Sequence, residues 1–188
     1  MAKALILVVS VLLMPGVAVA DRPFLEFDGG IGVIPVSSLA ADGTVNRNVV
    51  REVPPPGQIW VIEDLEAKIS EDGKIRVHGK GLLLGGGNNV GFNGNASVFA
   101  TLICESAAPF VQRSTDPAGV PLEFDGDFKI KDVLSPWPPT DCERPVLLIR
   151  NLNGAWFAAG ILDVKGDRHD DDKRDDDRHD DDKRDDKY

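Results

Sequence analysis

A chain of 188 residues, 42% of them hydrophobic, is long enough to build one domain with a real core. Its net charge of −10 argues against phosphate-driven nucleic-acid binding and against adsorption to anionic membranes. Two cysteines and three histidines leave little material for a metal cluster.

Residues 1–20 carry the pattern of a secretory signal peptide. Lys3 gives the positive start, residues 4–14 are apolar apart from Ser10, Pro15-Gly16 breaks the run, and Ala18 and Ala20 supply the small-x-small pattern. The apolar stretch is shorter than the about 20 residues that a bilayer span requires. The expectation is cleavage after Ala20 and an exported protein without an integral membrane segment. That protein would be secreted, or periplasmic in a bacterium with an outer membrane, and would meet an extracellular or envelope ligand. Export gives Cys104 and Cys142 an oxidising compartment, so a disulfide is expected between them. It would close a loop of about 40 residues and contribute roughly 3–4 kcal/mol.

Residues 21–166 form the body, with a net charge of −6, and residues 167–188 form a tail of −5; Lys3 supplies the remaining +1. Short apolar runs punctuated by Gly, Pro and Asn predict an all-β body of nine or ten short strands. A β-sandwich of jelly-roll or Greek-key type is the first architecture, and a closed barrel the alternative. Strands are predicted over 23–27 and 31–36, separated by Asp28-Gly29-Gly30. A third, more polar, spans 45–53 and stops at Pro54.

From Ile59 to Ile69 the odd positions are mainly apolar, which predicts one long half-buried strand over 59–69. Its partner covers 74–84. A three-residue turn, Glu71-Asp72-Gly73, sets Ile69 opposite Ile75, Ala67 opposite Val77 and Glu66 opposite His78, with Gly73 left-handed. The Gly/Asn-rich stretch 85–95 reads as a flexible loop without the phosphate-loop or dinucleotide signature. Its amides Asn88, Asn89 and Asn93 are candidate ligand contacts, and Asn95-Ala96-Ser97 matches a glycosylation sequon.

A buried strand over 96–104 follows, then a long connection with a short strand at 110–112. A hairpin is predicted about Asp125-Gly126, joining 122–124 to 127–133. Trp137, between Pro136 and Pro138, is either a rigid stacking platform for a sugar face or apolar partner, or packs over the disulfide. Trp60 and Trp156 lie within strands and are assigned to the core. The last hairpin turns at Asn153-Gly154, and its two-sided apolar strands predict central positions covered on both faces.

The tail repeats DRHDDDKRDD twice, at 167–176 and 177–186, before Lys187-Tyr188. With no apolar residue before Tyr188 it is expected to be disordered in solution. Asp170, Asp180, His169 and His179 are candidate ligands for weakly held divalent cations or mineral; no other cofactor is implied.

Catalytic patterns are thin. His78 with Glu66 would give a base and its orienting partner, and Glu63, Asp64 and Glu66 are the carboxylates for a small glycan hydrolase. Asp125-Gly126-Asp127 reads as a turn rather than a calcium loop. The balance favours a non-catalytic binding or cell-surface role over an enzyme.

Overall fold

The computed structural model describes residues 24–164, so the expected signal peptide and tail lie outside the described residues. Thirteen strands follow in chain order: β1 (Leu25–Gly32), β2 (Val36–Leu39), β3 (Val45–Arg47), β4 (Trp60–Val61), β5 (Asp64–Ile69), β6 (Lys74–Lys80), β7 (Leu83–Leu84), β8 (Ser97–Ile103), β9 (Arg113–Ser114), β10 (Val120–Pro121), β11 (Phe128–Val133), β12 (Val146–Asn151) and β13 (Trp156–Leu162). No helix forms among the described residues.

Nine strands make one antiparallel sheet, ordered β10-β8-β12-β13-β1-β5-β6-β11, with β9 also on β8. Its ends approach one another. Ser114 and Ser135 exchange both main-chain hydrogen bonds, at 3.0 and 2.9 Å, and the Asp132 carboxylate accepts the Asp116 N–H at 2.7 Å. The all-β expectation holds, and the architecture is the barrel-like alternative: one nearly closed sheet rather than two packed ones.

Glycines on the inner face explain how so small a ring closes around large rings. Phe128 stands opposite Gly79 and its ring occupies the space a side chain there would need. A Cβ on Gly160 would stand 3.1 Å from the Phe27 ring. Sheet curvature of this kind comes from pairing aromatic residues with glycine on the neighbouring strand. The interior is filled by Leu65, Ile69, Ile75, Leu102, Leu147 and Ile149, all fully buried. A ring of about eight strands is just wide enough to be filled in this way.

The β5–β6 hairpin has the predicted register: Ile69 opposite Ile75, Ala67 opposite Val77, and Glu66 opposite His78. Gly73 has φ +75°, and the Ser70 N–H donates to Lys74 O across the turn. Strands β12 and β13 lie in the middle of the sheet with adjacent residues buried on both faces, Leu147 to Ile149 and Trp156 to Ala158, as the sequence implied, and the chain between β1 and β5 packs over this part of the sheet. The Trp156 indole N–H donates to Asn48 O, Arg51 Nη1 to Ile103 O, and Trp60 stacks on Phe157 at 3.9 Å between centroids.

Five expectations are corrected. Asp28-Gly29-Gly30 does not separate two strands; it is a bulge within β1, where the register shifts between Phe27 and Gly30. The long strand over 59–69 is broken: Trp60 is buried and Val61 exposed, so the inward phase changes between β4 and β5. Strand 45–53 shrinks to β3, followed by a tight turn in which Val50 and Val53 exchange hydrogen bonds. Finally, the Asp125-Gly126 turn forms, but its arms do not make a hairpin ladder, since β11 pairs with β6 instead. Likewise the connection 106–121 holds its strands at β9 and β10, not at 110–112.

Candidate binding cleft

The Gly/Asn-rich stretch and the Asp125-Gly126 turn, distant in sequence, meet at one end of β6. The first is held rather than loose. Leu84 N–H donates to Phe92 O at 2.9 Å, Gly91 N–H to Leu84 O at 2.8 Å, and Ala96 N–H to Asn93 O at 3.2 Å. The second is closed by Glu123 N–H to Asp127 O at 2.8 Å and by Gly126, at φ +87°, against Leu82. Glycine is required there because a Cβ would stand 2.6 Å from the Leu82 nitrogen.

Asn93 joins the two segments. Its Nδ2 donates to Glu123 O at 2.9 Å and Leu122 O at 3.3 Å, while its Oδ1 accepts the Asn95 N–H at 3.0 Å. Between them lies a cleft of about 540 Å3 lined by Asn89, Phe92, Asn93, Gly94, Asn95 and Phe124. Phe92 is 56% exposed and Phe124 86% exposed. Two phenyl rings in solvent and three amides, without a cationic side chain in the lining, suit an uncharged ligand with both apolar and hydrogen-bonding faces.

The structure brings Asn89 and Asn93 into this cleft as candidate contacts, although Asn93 spends its amide on the fold. Asn88 is exposed on the same loop and does not line the cleft. Phe92 and Phe124 were missed in the sequence. The visible signal was a single aromatic beside each strong turn dipeptide, Gly91-Phe92 and Phe124-Asp125. Trp137 is elsewhere. It is 67% exposed beside the Gly73 turn, at the opposite end of β6 and about 20 Å away at the rise of an extended chain.

The Trp137 loop is anchored by an ion pair that the sequence did not reveal. Arg113 is buried, and its guanidinium donates to Glu105 Oε1 at 2.8 Å, Val111 O at 3.0 Å and Trp137 O at 3.3 Å. The Arg113 hydrogen bond, helped by the Val111 N–H, holds the Glu105 carboxyl down at about 2. Beside it, the Cys104–Cys142 disulfide is formed, with Cα atoms 4.6 Å apart. A second hollow of about 360 Å3 there is lined by Glu105, Ser106, Asp141 and Glu143 among others.

The carboxylates proposed for catalysis do not face one another across a cleft. Asp64 lies 3.7 Å from Lys80, whereas Glu66, between Asp28 and His78 in the strand rows, lines a separate hollow of about 200 Å3 with Glu26, Asp28 and Asp163 that includes neither Glu63 nor Asp64. Among the described residues no group of three or more His, Cys, Asp or Glu is arranged to hold a metal ion. The tail ligands His169, His179, Asp170 and Asp180 lie outside the described residues. No helix among the described residues is long and apolar enough to cross a membrane. Comparison with protein-family models, with curated proteins and with solved structures finds no match to this chain.

Proposed function

We propose that this is an exported, non-catalytic binding module that takes a neutral oligosaccharide in the Phe92–Phe124 cleft. One observation carries the reading. Phe124 stands almost wholly in solvent on a closed turn and lines one cleft with a second exposed ring and three amides. A ring on a hydrogen-bonded turn offers a stacking surface whose backbone is already ordered, and the Asn89 and Asn95 amides supply the donors and acceptors that sugar hydroxyls need. Export is supported by the signal-like sequence of residues 1–20 and by the disulfide.

The test is titration of the protein with a panel of neutral oligosaccharides, followed by amide NMR. Binding should perturb residues 89–95 and 124, and Phe124→Ala should weaken it by roughly tenfold, the worth of one aromatic contact. Because Phe124 is so exposed, its removal should leave the melting temperature in place. Perturbations confined to the Trp137 loop, or no binding across the panel, would defeat the proposal.

A further inference from the structure

The outer face of β5, β6 and β11 is cationic in a protein that is strongly acidic. Lys68, Lys74, Arg76, Lys80, Lys129 and Lys131 all point outward there, six of the eleven Lys and Arg residues in 24–164. The strand register sets Lys131, Arg76 and Lys68 side by side across three strands, continuing to Glu26 on β1. The next row reads Lys129, His78, Glu66, Asp28. Like charges directly opposite on neighbouring strands are destabilising, so such a row calls for an anion. Lys74 and Lys80 have Asp72 and Asp64. Among the described residues, no carboxylate is within ion-pair distance of Lys68, Arg76, Lys129 or Lys131.

We propose that this face is the docking site of the chain's own Asp-rich repeat, residues 165–188, independently of what the Phe92–Phe124 cleft binds. The position where β13 ends carries the argument. The Asp163 N–H donates to Glu26 O at 2.9 Å, so the chain leaves β13 at the acidic margin of this same face. Four strand spacings of about 4.8 Å, from β13 through β1, β5 and β6 to β11, place Lys131 roughly 19 Å from that point. The eight residues from Lys165 to Asp172 reach about 26 Å when extended, enough to cross the face.

Their charges follow the order of the rows. Lys165, Arg168 and His169, with the single acid Asp167 among them, come first, where Glu26, Asp28 and Glu66 stand; Asp170, Asp171 and Asp172 come next, within reach of Lys68, Arg76 and Lys131. The second repeat offers an identical triplet, Asp180 to Asp182, ten residues later. Tethering makes the encounter intramolecular, at an effective concentration in the millimolar range, so weak pairs suffice. In the docked state the repeat covers the cationic face, and salt or a competing polyanion uncovers it.

The test uses the full chain, labelled with ¹⁵N, bearing a spin label on Lys173→Cys with the native disulfide intact. At about 10 mM salt, where the Debye length is about 30 Å, the amides of Lys68, Arg76 and Lys131 should broaden; at about 1 M, where it is about 3 Å, the broadening should vanish. Replacing Lys68, Arg76 and Lys131 with Gln should also abolish it, with the core amides unmoved. A second readout needs no change to the body: Asp→Asn at 170–172 and 180–182 should shift the same three amides at low salt. Broadening that is absent at low salt, or unchanged in the Gln variant, would overturn the proposal. So would broadening transferred from a spin-labelled molecule to a separate ¹⁵N-labelled one, which would make the occupant a second copy.

Discussion

Burying the Arg113 guanidinium is tolerable only because every direction it points in holds an acceptor: Glu105, Val111 O and Trp137 O. Glu105→Gln keeps the shape and removes the charge, and should cost about 1–3 kcal/mol in urea unfolding. The pH dependence has a definite sign. The folded carboxyl titrates at about 2 against an ordinary 4.5, so the unfolded chain binds the proton more readily. The stabilisation is therefore complete above pH 4.5 and fades as pH falls from there toward about 2. Unfolding curves should show the wild type losing its advantage over Glu105→Gln across that window; a constant gap would place the stabilisation outside this titration. Strain is stored nearby at Arg51 and Glu52, with φ of +46° and +67°. Arg51 offsets its share through the hydrogen bond to Ile103 O, whereas exposed Glu52 makes no such side-chain bond among the described residues. Glu52→Gly should thus raise stability, by up to about 1 kcal/mol in a thermal melt.

At the scale of elements, the pairing of large rings with glycines decides the curvature. Gly79→Ala would force the Phe128 ring from its seat and should cost about 1–3 kcal/mol, or more if β11 cannot retreat. Denaturant unfolding alongside the exposed control Gly57→Ala, where an added Cβ meets nothing and φ is not positive, separates crowding from the general effect of replacing a glycine. This is also where sequence legibility ends. The β5–β6 register could be read because alternation and a three-residue turn each admitted one answer. The change of phase between Trp60 and Leu65 could not, because Ile59, Val61 and Ile62 are apolar whichever way they face. The bulge at Asp28-Gly29-Gly30 shares its residues with a turn, and only the partner strand β13 distinguishes them. Barrel closure depends on Ser114 meeting Ser135, a pairing of two short polar residues without periodic signature. In the cleft, the Gly/Asn stretch was legible as a candidate binding loop, but Phe124 was absorbed into the strand predicted over 122–124.

For the molecule as a whole, the disulfide matters because of what lies between its ends. Cys104 and Cys142 are 38 residues apart, and that span holds β9, β10, β11, the Phe124 turn and the Arg113 anchor. Those are the strands on both sides of the barrel seam, joined there by few hydrogen bonds of their own. Cross-linking the span at its base removes unfolded-state freedom worth roughly 3–4 kcal/mol. Its effect should also be unequal across the fold. Strands β12 and β13 sit in the middle of the sheet with both neighbours in place, whereas the seam depends on Ser114, Ser135, Asp116 and Asp132. Replacing both cysteines with Ala should lower global stability by about that amount. Hydrogen exchange should then show the Ser114, Asp116 and Ser135 amides opening at lower free energy than those of β12 and β13. Uniform acceleration across all strands would mean that the seam has no independent opening. Because Phe124 rides on the same span, seam opening should loosen the cleft too, and oligosaccharide binding should weaken in the Ala variant in step with seam exchange.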